Sequence, residues 1–183
     1  MKNKYYMINT LAIIMLFFSN PSWAHMRNID SNAILSGFIH PLTGFDHLFT
    51  LFALGLLSFR HYSKDKYLLA LLFLGGMGGG FALSNITGSL LFVEEVIGLS
   101  VVALGIMLLF RRNLCNPAVL GVIVLFAIAH GYAHGIEVSG SSAQVLAGLL
   151  ASSSLIILIT ILAFRHYSLG KASVVLVLDP YKS

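Results

Sequence analysis

Charged side chains are scarce in this 183-residue chain, where Asp, Glu, Lys and Arg together make up only 10% of the residues. Soluble domains carry about 25% charged and 45–50% apolar residues, whereas 57% of this chain is hydrophobic. The lack of charge excludes a disordered chain and a soluble nucleic-acid-binding protein, although the formal net charge is +4. Cysteine is nearly absent too, and the single Cys115 excludes a disulfide scaffold and a thiolate metal cage. The composition predicts an integral membrane protein.

The first 24 residues have the pattern of a secretory signal peptide. Lys2 and Lys4 precede a short apolar run, Met7–Phe18, and the segment ends on small residues at Ser22 and Ala24. The run is shorter than the roughly 20 residues that a membrane-spanning helix needs. An uncleaved first helix is the alternative.

Cleavage after Ala24 would make His25 the mature N-terminus, whose amine and imidazole could bind one metal ion together. The plainer interpretation is that His25 is only the residue that cleavage leaves behind. We therefore predict a signal peptide at 1–24 and a single transmembrane helical domain at 25–183.

Five further apolar stretches predict an all-α, polytopic bundle of transmembrane helices. Each is close to the roughly 20 residues that cross a bilayer. They lie at Ala33–Phe59, Tyr67–Leu83, Val93–Phe110, Ala118–Ile136 and Ala143–Phe164. Ala172–Leu178 is also apolar but too short to span, so we expect an interfacial piece or a short sixth helix there.

Basic residues orient the predicted spans. With the mature N-terminus outside, nearly all Lys and Arg side chains of the loops fall on the cytoplasmic side, as the positive-inside rule requires. They are Arg60, Lys64, Lys66, Arg111, Arg112, Arg165 and Lys171, against Arg27 alone outside. We expect a bacterial inner-membrane protein with a periplasmic N-terminus and a cytoplasmic C-terminus.

A glycine-rich run lies in the second of these spans. Its glycines recur four residues apart, at Gly75 and Gly79 and again at Gly76 and Gly80. Such spacing predicts a flat face that lets another helix backbone approach closely. A phosphate-binding loop is not favoured, because no Lys with Ser or Thr follows in the P-loop pattern.

Ionisable side chains inside membrane spans are costly and mark candidate functional sites. In the predicted topology, three groups of them share one depth, in the outer half of the membrane. They are His40, Asp46 and His47 in the first span, Glu94 in the third, and His130, His134 and Glu137 in the fourth. Glu95, one helix step from Glu94, faces elsewhere and is left out.

The fourth span places its three ionisable residues on one stripe. On an ideal helix His130, His134 and Glu137 fall within roughly 60° of one another. Spacings of three and four residues let one helix offer several ligands to one metal ion.

The first span is less regular. His40 and His47 are seven residues apart and share a helix face, whereas Asp46 lies about 100° away on an ideal helix. Pro41 and Gly44 lie between them and favour a local bend or unwinding. Asp46 would then bind the ion directly or orient an imidazole by accepting its hydrogen bond.

Imidazole and carboxylate ligands suit Ni²⁺, Zn²⁺, Co²⁺ or Cu²⁺ and disfavour soft ions such as Cu⁺. The alternative for each histidine is a hydrogen bond to a neighbouring helix. Burying three such groups without a partner would be costly, so we favour a metal site. Its predicted residues are His40, Asp46, His47, Glu94, His130, His134 and Glu137, with His25 as a first ligand at the entrance.

Two sequence motifs resemble the HupE/UreJ family. Residues 40–47 read HPLTGFDH, similar to the family's H-x5-D-H motif, and residues 130–137 read HGYAHGIE, similar to its HGxAHGxE-like run. The residues around Glu94 and His25 also resemble those of the family. The resemblance as a whole covers about residues 22–165. Ala129 stands where the family usually has Phe, and members usually continue into a full sixth span. The resemblance implies a nickel or cobalt permease, often linked to nickel enzymes such as hydrogenase and urease.

The leading prediction is a secondary permease for divalent transition-metal ions, nickel first, that holds no prosthetic group. One alternative is an intramembrane zinc-dependent hydrolase with Glu137 as general base. The other is a non-transporting metal-binding assembly or sensor protein. The expected partners are the metal ion and the lipid bilayer but no nucleic acid, with a homo-oligomer and a nickel-enzyme maturation system as further candidates.

Overall fold

The computed structural model describes residues 32–60, 67–87, 92–110, 116–137 and 142–178, without the side chains of 142 and 170–178. Helices account for nearly all of these residues, and no strand occurs within the described ranges, which confirms the all-α prediction. The helices are α1 (Ala33–Thr43), α2 (Phe45–Arg60), α3 (Leu68–Thr87), α4 (Val93–Leu109), α5 (Pro117–Glu137) and α6 (Ser142–Leu178). The predicted signal peptide and His25 lie outside the described residues.

Several of these helices are long and apolar enough to cross a membrane. α3, α5 and α6 meet this requirement individually, and α1 with α2 raises the number to four if the bent pair is one span. α4 has 17 residues, at the short end of the range of about 17–25 for a spanning helix. The polytopic membrane bundle is therefore confirmed, with fewer full-length spans than the five predicted.

The predicted first span, Ala33–Phe59, consists of two helices, α1 and α2, where the sequence predicted one helix with a local bend or unwinding. The chain bends by 78° between α1 and α2, which makes this a broken span or a re-entrant segment. Gly44 adopts an extended backbone, with φ −88° and ψ 115°, and its N–H donates to the His40 carbonyl at the end of α1. Asp46 then lies in the first turn of α2, where the helix dipole favours a carboxylate. The local distortion expected at Pro41 and Gly44 is thus a complete helix end.

The predicted short sixth element is not separate either. Residues 172–178 continue α6, whose helical backbone runs without interruption from Ser142 to Leu178. The helix continues through Gly170, which costs about 1 kcal/mol relative to alanine but does not end it here, and residues 172–178 contain no glycine or proline.

Small residues hold α3 against α5, the most extensively packed helix pair. A Cβ added at Gly80 would collide with the Ile128 carbonyl oxygen, and one added at Gly131 would collide with the Met77 carbonyl oxygen. Gly76 likewise approaches Ala127, whereas Gly75 and Gly79 contact nothing in the described chain. Of the two predicted glycine faces, the one with Gly76 and Gly80 therefore packs against α5, and Gly131 on α5 packs against α3 in turn. The backbones approach closely as they do in small-residue membrane helix pairs.

The remaining helices close around a leucine core. Leu54, Leu57, Leu104 and Leu108 are at most 1% exposed, and the Arg60 guanidinium donates to the Leu108 carbonyl, which joins the ends of α2 and α4. α6 crosses both halves of the broken span, packing first on α1 and then on α2. The core therefore lies along α2, with the break between α1 and α2 at its other end.

Replacing Gly80 with alanine tests the close packing of α3 on α5. We expect Gly80→Ala to lower the free energy of unfolding by about 1–3 kcal/mol, because the new methyl group overpacks the interface. Gly79→Ala is the matched control, and it should be neutral or slightly stabilising because alanine favours helix. Thermal unfolding in detergent measures both. Equal effects of the two substitutions would contradict the described packing.

Candidate metal centre

The break between α1 and α2 brings two histidines together. On a straight helix, seven residues would separate His40 from His47 by about 10.5 Å along the axis. In the broken segment their ring centroids are 5.5 Å apart, and both residues are buried. Gly44 therefore positions the site by ending α1, a role that the sequence indicated only as a bend.

A third helix, α5, adds His134 to this pair. Its ring centroid lies 4.6 Å from that of His40 and 4.4 Å from that of His47. One nitrogen from each of the three rings can be chosen so that all three lie within 4.8 Å of one another. Two nitrogens on one ion lie at most about 4.2 Å apart, since each metal–nitrogen bond is about 2.1 Å long. Small side-chain rotations would therefore bring all three nitrogens onto one ion.

Asp46 fixes the orientation of the His47 ring. Its carboxylate oxygen accepts hydrogen bonds from His47 Nδ1 and from the His47 backbone N–H, each at 2.9 Å. Because a carboxylate only accepts, Nδ1 carries the proton and Nε2 presents its lone pair. Carboxylates orient metal-binding histidines in the same way.

His130 is held by its own helix. Its Nδ1 donates to the Phe126 carbonyl at 2.9 Å, so its Nε2 also presents a lone pair. The His130 ring centroid lies 5.2 Å from that of His47 and 5.6 Å from that of Phe73. His130 thus borders the group formed by the other three histidines.

None of the four imidazoles uses Nε2 in a hydrogen bond. His40, His47, His130 and His134 each have a buried Nε2 atom with no hydrogen-bond partner within the described chain. Buried polar atoms are nearly always paired, and leaving one unpaired costs about 1–3 kcal/mol. Among the described residues, none of these histidines therefore makes the alternative hydrogen bond, from this nitrogen to a neighbouring helix.

A small cavity of about 10 Å³ opens among these rings, roughly the size that accommodates one water molecule. Its lining residues are Pro41, His47, Leu51, Phe73, Met77, His130, His134 and Ser153. Four of them, Leu51, Phe73, Met77 and Ser153, are not singled out by the sequence. Met77 lies within the glycine-rich run, which indicated helix packing. Leu51, Phe73 and Ser153 lie in apolar runs, where nothing in the sequence distinguishes a cavity-lining residue from the rest of the core.

The remaining predicted residues are placed differently. Glu137 ends α5 at the rim, with its side chain 29% exposed and an oxygen 3.9 Å from His40 Nε2, too long for a hydrogen bond. Glu94 is exposed in the first turn of α4 and is not among the side chains whose ligand atoms converge in the described chain. His25 lies outside the described residues.

Gly44 faces the Asp46–His47 pair closely. A Cβ at this position would lie 3.0 Å from His47 Nδ1 and 3.1 Å from the Asp46 carboxylate oxygen. Both distances are tight for a carbon, so a side chain here would press on the hydrogen bond that orients the ring. Space rather than backbone conformation therefore favours glycine at this position, since its φ is one that any residue adopts.

The fold and the site together define a membrane helix bundle with a buried group of imidazoles and a carboxylate. The chain matches the HupE / UreJ protein family over residues 13–178, and it belongs to that family. It is 31% identical over 147 residues to Protein HupE of Rhizobium leguminosarum bv. viciae, an alignment that covers 79% of this chain and 75% of that protein. No solved structure matches the chain. The resemblance seen in the two motifs is thus confirmed, and it fits a nickel- or cobalt-transporter-like role.

The hydrogen bonds of His47 and His130 predict which ring nitrogen carries the proton. In the metal-free protein, nitrogen chemical shifts of labelled imidazoles should report protonated Nδ1 for both residues. Asp46→Leu should release this preference at His47 and leave it at His130, whose acceptor is a backbone carbonyl. A proton on Nε2 of His47 in the unaltered protein would contradict the described pairing.

Proposed function

We propose that this protein is a secondary permease for divalent transition-metal ions, with nickel as the first candidate, in the bacterial inner membrane. The supporting observation is the convergence of His40, His47 and His134 from three helices, with buried and unpartnered Nε2 atoms. His130 and Asp46 belong to the same site, and Glu137 stands at its rim. Membership of the HupE/UreJ family supports the same function.

The chemistry of the group suits a divalent transition-metal ion. Neutral imidazoles bind Ni²⁺, Co²⁺, Zn²⁺ and Cu²⁺ well. The carboxylates of Asp46 and Glu137 offset the charge of the ion in a medium of low dielectric constant. Glu137, at 29% side-chain exposure, is placed to meet the ion before His40 does.

The direction of transport follows from the predicted topology. The charge distribution of the loops puts the rim of the site on the periplasmic side. An inside-negative potential then favours entry by about 2.3 kcal/mol per elementary charge for each 100 mV. His25 and Glu94 are proposed as ligands on the way in rather than as members of the buried group.

A hydrolase and a non-transporting sensor would use the same ligands differently. Both would keep the ion bound, and a zinc hydrolase would also need Glu137 beside a metal-bound water. Metal accumulation inside sealed liposomes distinguishes the permease from both. A protein that binds one ion tightly but carries none across would be a sensor, an assembly factor or an enzyme.

Histidine variants test the permease directly. We expect His40→Ala and His134→Ala to lower the initial rate of radioactive nickel uptake into proteoliposomes by at least about tenfold, because each removes a ligand from the ion. His166→Ala is the matched control, since His166 is exposed on α6 away from the site. Unchanged uptake in both site variants, or an equal loss in the control, would refute the proposed ion site.

Asp46→Asn isolates the contribution of the carboxylate. Asparagine keeps an acceptor oxygen near His47 but removes the charge. We expect nickel affinity in detergent to fall by about 10–100-fold, as it does when such partners of metal-bound histidines are altered. Glu95→Gln removes a carboxylate from an exposed position of α4 and should leave affinity unchanged. Titration calorimetry measures both, and an unaltered affinity for Asp46→Asn would exclude the proposed role.

A further inference from the structure

The buried hydroxyl groups of the bundle fall into two classes. Those of Ser84, Ser100, Ser152 and Thr160 each donate to a carbonyl three or four residues earlier in their own helix. The Ser168 hydroxyl, in a partly exposed residue near the end of α6, has no hydrogen-bond partner within the described chain, and neither have those of Thr50, Ser58 and Ser153. Thr50, Ser58 and Ser153 form the second class and are at most 1% exposed. The hydroxyls of the second class therefore lack the hydrogen bond to a carbonyl of their own helix that the hydroxyls of the first class make.

This difference is unexpected for apolar helices. A serine or threonine in a helix ordinarily satisfies its hydroxyl on its own preceding turn. A buried hydroxyl that is aimed elsewhere in a membrane protein indicates another polar partner. Since protein groups do not supply it among the described residues, water or a passing cation is the remaining kind of partner.

The three hydroxyls follow one another away from the histidines. Ser153 lines the same cavity as His47 and His134. Thr50 comes three residues after His47, about 4.5 Å further along α2. Ser58 comes eleven residues after His47 and returns to within about 20° of its direction on an ideal helix.

α2 and α6 advance side by side beyond the cavity. His47 and Ser153 both line the cavity, and further along both helices Gly55 contacts Thr160 and the Ile157 carbonyl. The two helices therefore run in parallel. Both lead toward the end of α2 that carries Arg60, the predicted cytoplasmic side.

We propose that the ion leaves the histidine cavity along the face of α2 that carries Thr50 and Ser58, whose hydroxyl oxygens, with that of Ser153 at the cavity, solvate it. This exit route rests on the proposed permease function. Leu54, 0% exposed, lies between Thr50 and Ser58 on the same stripe, so the route is closed in this conformation. Opening requires the helices packed on α2 to move apart at this leucine, while the histidine site stays intact on the other side.

The test compares route variants with matched hydroxyl controls in the full-length protein. The route variants are Ser153→Ala, Thr50→Val and Ser58→Ala. Ser152→Ala and Ser100→Ala remove equally buried hydroxyls that are bonded to their own helix. Each protein is assayed for nickel uptake into proteoliposomes and for equilibrium nickel binding in detergent.

We expect the route variants to slow uptake by about tenfold, because each removes a hydroxyl that contacts a charged species. Equilibrium binding should change little, and both controls should resemble the unaltered protein. Thr50→Ser retains the hydroxyl and should restore transport, which separates the loss of the oxygen from the loss of packing.

Four results would overturn the route. Controls that lose as much uptake as the route variants would assign the effect to packing. Binding that weakens in proportion to uptake would make the hydroxyls ligands of the site instead of an exit. Normal uptake in all three route variants, while His134→Ala abolishes it, would leave the permease standing and remove the route alone. An unaltered protein that binds nickel without transporting it would remove both proposals.

Discussion

The site depends on one interruption of the backbone, the helix end at Gly44. A continuous helix would hold His40 and His47 about 10.5 Å apart along its axis, too far to share an ion. The 78° bend places their rings 5.5 Å apart and leaves Asp46 in the first turn of α2, hydrogen-bonded to His47. Space for this arrangement exists because residue 44 has no side chain. The broken helix, the paired carboxylate and the glycine are therefore one structural unit.

The second requirement is that α5 approaches this unit closely. Gly131 and Gly135 follow the two α5 histidines directly and contact the backbone or hydroxyl of α3. On α5, each candidate ligand, His130 or His134, is thus followed at once by a glycine that packs against α3. Four buried imidazole nitrogens without hydrogen bonds oppose folding, and the close α3–α5 contact and the leucine core must offset this. A ligand that pairs these nitrogens would stabilise the bundle, as any ligand that binds only the folded state does.

Much of this could be predicted from sequence. The positions of α3, α4 and α5 follow from apolar runs, and the grouping of His40, His47 and His134 follows from topology and depth. The break could not be located, because Pro41 and Gly44 are compatible with a bend as well as a helix end. The continuous α6 was missed because the polar residues near His166 and the glycine at Gly170 are typical of a helix end, although the helix passes through both. Ser153 and Met77 could not be identified, because which faces of α3 and α6 line the cavity is decided by packing between helices.

The central claim is that imidazoles from α1, α2 and α5 bind a single ion. X-ray absorption spectroscopy of the nickel-loaded protein tests it most directly, because backscattering from imidazole rings reports the number of histidines on the metal. The account predicts three histidine ligands in the unaltered protein and one fewer in His40→Ala. A spectrum without imidazole scattering, or one that the substitution leaves unchanged, would contradict it.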